Sequence, residues 1–506
     1  MAQSPPATKS PDSPPRRTSF NLSIWIFSIA TFIKLLLIPS YRSTDFEVHR
    51  HWLALTSSLP LRQWYLDTSS IWTLDYPPLF AHFSYLLSLP ASLFDPAITS
   101  LSSTGSHTPP TVLYLRLTAA FSDLSLFFAS YRMISTSRRS LFTLALILWS
   151  PSLLIVDHVH FQYNGFLLGI FLLSLGFLEE GRDLAGGFVF AVLLCSKHLF
   201  LVAAPFYFVY LLRHYCKGGF FRGFSRLVIM GMAVAAVFAA SFGPFIYYGQ
   251  IKQVFSRLFP FGRGLCHAYW APNIWVFYIL LDKALASAFT KLGFNVETPM
   301  ASFTGGLVGE SSPFSVLPQV TPIVTFILVL LSMLPCLVKA FKNPQPRHVV
   351  RWVAYMCTCG FMFGWHVHEK ASLHFTIPLA AVAMNSLDDA KHFFILSIVS
   401  CYSLFPLLYE PQEYLIRLLL LLTYSFLMWV GFSSHFAPAK KKSLVGWVSS
   451  IYLVGLASVE LYGQFVHPYL FEKKLPFLPL MLVSFSCAIG MLYSWIWQLV
   501  YILRHT

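Results

Sequence analysis

The sequence predicts an all-α polytopic membrane protein. Of its 506 residues, 56% are hydrophobic and 11% are charged, and the mean hydropathy is +0.62. A soluble protein of this size could not hide so much apolar surface. Many apolar stretches reach the roughly 18 residues that span a bilayer, and they run continuously rather than alternating as lipid-facing strands do. The sequence therefore favours membrane helices over a membrane β-barrel.

The net charge of +14 reflects membrane topology rather than nucleic-acid binding. Basic residues concentrate in short loops between the predicted spans, as in 213–226 and 339–351, and such loops are cytoplasmic by the positive-inside rule. Most of the eight cysteines fall inside apolar stretches and show neither a disulfide framework nor zinc-binding spacing. We therefore expect no nucleic-acid partner.

The first half of the chain is predicted to form one transmembrane module, 20–248, after a Pro- and Ser-rich disordered segment, 1–19. Its first span, near 21–38, follows two arginines and leads into a long loop, 39–111, on the far side of the membrane. Further spans are predicted near 112–132, 140–156, 164–178, 185–196, 199–213 and 225–247.

A second long far-side loop, 249–316, separates this module from another, 317–506. Spans in the second module are predicted near 317–339, 349–364, 371–386, 392–409, 414–432, 445–465 and 478–502. The total is roughly fourteen spans. Because threading the chain through the membrane in this way puts the basic clusters on one side, both termini are predicted to be cytosolic.

Charged residues inside the predicted spans include Lys34, Arg116 and Asp123. Arg116 and Asp123 are seven positions apart on one helical face, and they are expected to form an intramembrane ion pair. Lys34, near the end of the first span, is expected to extend outward to the membrane surface. These charges are therefore interpreted as structural.

Acidic residues in the first long loop are the clearest candidates for chemistry. Asp45, Glu47 and Asp75 lie beside the membrane, where carboxylates are costly and usually functional. In an extended segment, Asp45 and Glu47 would share one face, whereas on a helix their side chains would diverge. Trp52 and Tyr76 offer aromatic platforms for the faces of sugar rings. The alternative is a solvated loop whose acids only follow the membrane topology.

A short polar stretch, 157–164, joins two predicted spans. His160, Gln162 and Asn164 are expected to line a sugar pocket. The alternative is a polar cap that hydrogen-bonds the ends of the helices. His158 and His160 could suggest a metal, but no third ligand lies nearby in the sequence, so no metal site is predicted.

Cations on the far side, where they are rare, are candidates for binding phosphate. Arg257 and Arg263 lie in the second long loop and suit phosphate geometry, although they could instead pair with the acids of the first loop. A cluster between two later spans offers three more groups that can donate to a phosphate: His366, His368 and Lys370. We expect this cluster to bind phosphate.

Carboxylates, aromatic rings and cations on one membrane face fit the transfer of a sugar from a lipid phosphate. A carboxylate would remove the proton of the acceptor hydroxyl, which contributes roughly 10²–10⁴-fold to such reactions. The cations would stabilise the charge on the departing phosphate. A lipid or sugar-phosphate transporter is the alternative, although no internal repeat is visible and the charges cluster at one face rather than at mid-membrane.

These segments resemble a known family. The stretches that carry the resemblance are Asp45-Phe-Glu47 with His51-Trp52, Leu74-Asp-Tyr-Pro-Pro78, His160-Phe-Gln-Tyr-Asn164, Arg257-Leu-Phe-Pro260 and Val367-His-Glu-Lys370. The chain resembles the dolichyl-phosphate-glucose-dependent α-1,3-glucosyltransferases of the lipid-linked oligosaccharide pathway. The stretches 157–165, 264–273 and 364–370 look most like the members that add the second glucose; the members that add the first glucose are the alternative.

The resemblance implies a GT-C glycosyltransferase architecture in the endoplasmic reticulum membrane, with a lumenal active site. It implies a dolichyl phosphate glucose donor and a dolichyl-diphosphate-linked Glc1Man9GlcNAc2 acceptor. A β-linked donor that gives an α-1,3-linked product means inversion. Asp45 would match the family's base, Asp75 would be a second carboxylate, and His368 with its neighbours would face the dolichyl phosphate. The resemblance implies neither a cofactor nor a metal.

Overall fold

The chain folds as a bundle of helices of very different lengths. The computed structural model describes residues 16–102, 108–137, 139–259, 261–267, 270–296, 314–437, 443–472 and 474–505. Strand-like pairing within these residues consists of a single bridge between Cys266 and Val367. The prediction of an all-α protein is therefore confirmed.

Eight helices in the described part of the chain are long and apolar enough to cross a membrane. They are Ser19–Leu36, Pro109–Ser137, Phe142–Val159, Phe220–Tyr247, Pro322–Lys342, Leu387–Leu407, Pro411–His435 and Leu478–His505. Shorter apolar helices are Pro78–Phe94, Asn164–Glu179, Asp183–Leu194 and His198–His214. These lengths are consistent with a polytopic membrane protein, but they do not confirm the predicted count of roughly fourteen spans.

Two predicted spans of the second half are short helices buried inside the protein. Val349–Phe363 has 15 residues and Leu373–Ala380 has 8, and nearly every residue of both is buried. A helix that is hydrophobic on all sides lies either in lipid or in a protein core, and its hydropathy does not separate the two. Further helices are Thr44–Ser58, Ile251–Leu258, Ile274–Lys291 and Trp447–Leu461.

Close packing of two helices positions the polar turn before Asn164–Glu179. This helix lies against Leu124–Ser137, and a Cβ atom at Gly169 would be 2.5 Å from the carbonyl carbon of Ser125. A side chain does not fit in that space, so the glycine lets the two backbones approach each other. The beginning of Asn164–Glu179 is thereby held at a fixed place in the bundle.

A network of charged groups is buried among the first helices. Lys34 Nζ lies 2.5 Å from Asp123 Oδ2, and His158 Nε2 lies 2.8 Å from the same oxygen. Arg116 instead donates to the carbonyl oxygen of Tyr41 at 2.9 Å. The predicted Arg116–Asp123 pair and the outward course of Lys34 are therefore wrong. Asp123 lies where the span Pro109–Ser137 divides into the helical stretches Pro109–Ser122 and Leu124–Ser137, and a partner on a neighbouring helix offsets the cost of a lone buried charge.

Candidate active site

Asp45 and Glu47 lie in the first turn of the helix Thr44–Ser58. Because successive residues of a helix point roughly 100° apart, their side chains diverge instead of sharing one face. Glu47 accepts two hydrogen bonds from Arg50, at 2.6 and 2.9 Å. Arg50 also donates to the carbonyl oxygen of Ser100 at 3.1 Å. Glu47 therefore holds Arg50, which in turn binds the later part of the loop at Ser100. The structure does not bring Glu47 to the partners of Asp45.

Polar groups from two distant segments of the chain meet at one oxygen of Asp45. Lys370 Nζ lies 2.7 Å from Oδ2, Gln162 Nε2 donates to this oxygen at 2.8 Å, and His160 Nδ1 lies 3.8 Å away. Lys370 and Asp45 are 325 positions apart in the sequence. Burial alone would raise the pKa of Asp45, but Lys370 and His160 hold that pKa well below its usual range. The carboxylate is therefore ionised and fixed through Oδ2.

The polar turn 160–164 presents its amide groups to this carboxylate. It follows a π-helical turn, and Phe161 has a φ of 60°, a left-handed conformation that redirects the chain. Asn164 Nδ2 donates to Gln162 Oε1 and to Asp157 Oδ1, both at 2.9 Å. The amides of Gln162 and Asn164 thus connect the carboxylates of Asp45 and Asp157. A simple cap on a helix end would not do this.

Trp52 and Tyr76 pack against each other, with ring centroids 5.1 Å apart. Trp52 is 2% exposed, and its Nε1 donates to the carbonyl oxygen of Trp72 at 3.2 Å. It supports the segment that carries Tyr76 and is not an open platform for a sugar. Tyr76 is half-buried, and Lys197 Nζ lies 5.6 Å from the centroid of its ring. Tyr76 therefore brings an aromatic ring to the edge of the charged site.

Asp75 is half-buried between acidic and basic neighbours. Burial raises the pKa of Asp75 to about 6 against the opposing charges of Arg263 and Arg257, and the charge of Asp45 adds to the increase. Arg257 Nη2 also donates to the carbonyl oxygen of Asp67 at 3.2 Å. Arg257 and Arg263 of the second long loop thus face the first long loop, as expected if they pair with the acids of that loop.

The second long loop also fixes the segment that carries the later histidines. Trp365 Nε1 donates to the carbonyl oxygen of Arg263 at 3.0 Å, and His366 Nδ1 donates to that of Gly264 at 2.7 Å. His366 has a φ of 49°, in a region that residues with a side chain rarely adopt. These contacts hold Arg263 beside the histidine cluster, and they use one ring nitrogen of His366.

His267, His368 and Glu369 bring their ligand atoms within 4.8 Å of one another. The ring centroids of the two histidines are 3.5 Å apart, and His368 Nδ1 lies 3.5 Å from Glu369 Oε1. Glu369 is 2% exposed, and neither of its oxygens accepts a hydrogen bond from a described residue. Such a group can hold a divalent cation or, with a protonated histidine, a phosphate. No sequence spacing indicates it, because His267 belongs to the other loop.

Sequence analysis also missed Lys197. This residue lies between two short apolar helices, is 5% exposed, and donates to Asn164 Oδ1 at 2.7 Å. A cation between two apolar stretches, on the predicted far side of the membrane, is the signal that singled out Arg257 and Arg263. The same signal applies to Lys197, and it could have identified this residue.

Comparisons with known proteins agree over nearly the whole chain. The sequence profile of the ALG6, ALG8 glycosyltransferase family matches residues 30–498. The chain is 61% identical to the Arabidopsis thaliana protein named dolichyl pyrophosphate Glc1Man9GlcNAc2 alpha-1,3-glucosyltransferase, over 94% of this chain and 97% of that protein. It is 43% identical to the Bos taurus protein of the same name, over 94% and 95%. It is 40% identical to that of Schizosaccharomyces pombe, over 92% and 95%.

Proposed function

The chain belongs to the ALG6, ALG8 glycosyltransferase family, and we propose that it moves glucose from dolichyl phosphate glucose to dolichyl-diphosphate-linked Glc1Man9GlcNAc2 in an α-1,3 linkage. The shared name of its relatives states the oligosaccharide and the linkage. The observation that supports the proposal most directly is the convergence of Lys370 and Gln162 on one oxygen of Asp45. This convergence gives an aimed carboxylate beside cationic groups, as glycosyl transfer from a phosphate requires.

We assign the role of base to Asp45. Lys370 and Gln162 contact Oδ2, so Oδ1 accepts the proton of the attacking C3 hydroxyl on the terminal glucose of the acceptor. The hydroxyl oxygen bonds to the anomeric carbon of the donor as the bond from that carbon to the phosphate oxygen breaks. Dolichyl phosphate leaves with the electron pair, and a single displacement inverts the linkage. Asp75 and Tyr76 complete the acceptor side.

The departing phosphate is proposed to lie against cationic groups from the second half of the chain. The His368 side chain is 38% exposed and belongs to the same segment as Lys370, so it can donate to a phosphate oxygen. Arg263 lies beside this segment through its backbone contact with Trp365, and its guanidinium adds positive charge. His366 contributes less, because one ring nitrogen is already bound to a backbone carbonyl.

We further propose a GT-C architecture of roughly fourteen spans. It comprises two modules, 20–248 and 317–506, joined by the loop 249–316. The site opens to the lumen of the endoplasmic reticulum and both termini are cytosolic, which agrees with the positions of the basic loops. Both proposed substrates are anchored in the membrane through dolichol, so a site beside the membrane matches where they lie.

The test uses purified protein in detergent, supplied with dolichyl phosphate glucose. An acceptor that carries one glucose should give a product with a second, α-1,3-linked glucose, and the acceptor without glucose should react at least roughly tenfold more slowly. The opposite preference would identify the enzyme that adds the first glucose. Absence of transfer to both acceptors, together with movement of the lipid across vesicle membranes, would identify a transporter.

A further inference from the structure

A line of hydrogen bonds behind Asp45 begins at Lys197. Lys197 is buried, and its Nζ donates to Asn164 Oδ1 at 2.7 Å. Asn164 Nδ2 donates to Gln162 Oε1 at 2.9 Å, and Gln162 Nε2 donates to Asp45 Oδ2 at 2.8 Å. Four side chains thus form one line in which every hydrogen bond runs in the same direction.

The chemistry of the two end groups determines this direction. An ammonium group only donates and a carboxylate only accepts, whereas an amide does either, depending on which end faces its neighbour. Lys197 therefore turns the oxygen of Asn164 toward itself, which leaves the NH₂ group of Asn164 facing Gln162. Gln162 accepts this hydrogen bond through its oxygen, and its own NH₂ group therefore faces Asp45.

Asp157 holds the central amide from the opposite side. Asn164 Nδ2 donates to Asp157 Oδ1 at 2.9 Å, and the backbone N–H of Gly165 donates to Asp157 Oδ2 at 2.6 Å. Asn164 is thus clamped between a donor, Lys197, and an acceptor. An amide clamped at both ends cannot rotate, and a buried oxygen that loses its donor is destabilising.

We propose that Lys197 is a positioning residue for the base, which acts through Asn164 and Gln162 to fix Oδ2 of Asp45 and so to aim Oδ1 at the acceptor hydroxyl. The inference rests on the proposed function, because it takes Asp45 as the base. Lys197 touches no reacting atom in this arrangement. Its loss should therefore slow the chemical step without weakening the binding of either substrate.

Besides Lys197, four titratable groups outside this line act on Asp45, and they set the background of any pH measurement. They come from different elements of the fold and are Lys370, His160, Asp75 and His49. A useful pair of variants must therefore separate the charge of Lys197 from its hydrogen bond. The same pair must leave the other four groups unchanged.

The main experiment compares Lys197→Met with Lys197→Arg. In Lys197→Met, kcat for glucose transfer should fall about tenfold, while KM for both substrates stays within about twofold of the wild-type value. The acid limb of the pH profile of kcat should move up by about one pH unit, because the ionised form of Asp45 is then stabilised less. Lys197→Arg keeps the charge and the donors and should restore most of the activity.

Two further variants complete the design. Lys391→Met is a matched control, since Lys391 is 28% exposed and lies 4.0 Å from Asp388. Gln162→Met tests the last bond of the line, also in case Lys197→Met does not fold: its thioether has no hydrogen to donate to Asp45 and adds no charge beside that carboxylate. Gln162→Met should therefore move the acid limb in the same direction. Adding Lys197→Met to it should change little, because both substitutions break one line.

Three results would overturn the inference. They are a wild-type kcat in Lys197→Met, an acid limb that stays in place in both single variants, and effects of the two substitutions that multiply independently. A wild-type protein that transfers no glucose at all would contradict the proposed function instead. The two failures are therefore distinguishable.

Discussion

The two ends of the proposed site differ in how fully their carboxylates are satisfied. Asp45 is in contact with polar groups from two distant segments, although its side chain is 21% exposed. Glu369 is only 2% exposed, yet it accepts no hydrogen bond from the residues that the structure describes. The fold itself therefore assembles the acceptor end, whereas at the phosphate end a buried carboxylate has no hydrogen-bond donor among the described residues.

The difference matches the chemistry proposed for each end. A base must be aimed before the reaction begins, and this requires fixed partners. At the other end, His368 and Lys370 outweigh the effect of burial and lower the pKa of Glu369 to about 2. Glu369 is therefore anionic, and one of its oxygens lies 3.5 Å from Nδ1 of His368.

Asp45→Asn should have the largest effect. The amide keeps the shape of the side chain but cannot accept a proton, so kcat should fall by roughly 10²–10⁴-fold while the donor still binds. Single-turnover glucose transfer measures the loss. Asp67→Asn is the matched control, because Asp67 lies in the same loop, 3.5 Å from His51. An Asp45→Asn variant as fast as this control would remove Asp45 from the role of base.

His368→Ala should have the next largest effect, on use of the donor. A hydrogen bond to a charged group contributes about 1.5–3 kcal/mol, so KM for dolichyl phosphate glucose should rise at least roughly tenfold. His366→Ala should raise this KM less and should instead lower the midpoint of thermal unfolding, because His366 binds the backbone of Gly264. The reverse order of the two KM values would exchange the roles of these histidines.

Asp75→Asn should raise the midpoint of thermal unfolding at about pH 7.5 and leave it unchanged at about pH 4. The pKa of Asp75 in the folded protein is about 6, above the usual 3.8. Between these values the folded state binds more protons than the unfolded state, so stability falls as the pH rises. The neutral amide avoids this loss, and differential scanning fluorimetry should show a gain of roughly 1–3 °C. An equal gain at both pH values would contradict the assigned cause.

Chelation of divalent cations should have the smallest effect. His368 is proposed to face the donor phosphate directly, so dialysis against EDTA should leave the transfer rate within about twofold. Activity that is lost and then restored by added Mn²⁺ or Mg²⁺ would instead assign the group formed by His267, His368 and Glu369 to a cation. The phosphate end would then be completed by a metal ion rather than by the donor alone.

The sequence predicts the class of fold well, but it does not determine which of the short apolar helices span the membrane. Continuous apolar stretches identify spans such as Phe220–Tyr247 and Pro322–Lys342. They also predict spans at 349–364 and 371–386, where the structure has short helices inside the protein. Lipid and a protein core both favour apolar side chains, so hydropathy cannot separate these cases.

The candidate site is predictable in its residue types and less so in its pairings. The sequence places Asp45 and Lys370 on one membrane face, but it does not indicate that their side chains are in direct contact across 325 positions. Glu47 has the same local signal as Asp45, yet its position on the helix turns it toward Arg50. Partners are set by the direction in which each side chain leaves its element, and this depends on the assembled fold.

The buried contact between Lys34 and Asp123 constrains how the protein is synthesised. The two residues are 89 positions apart, a length of chain that a ribosome adds in roughly 4–18 s. Until then the first hydrophobic segment carries, near its end, an ammonium group without its counter-ion, and this group must be solvated by water or by the polar membrane surface. Lys34 is therefore expected to become buried only when the helical stretch that holds Asp123 packs against this segment.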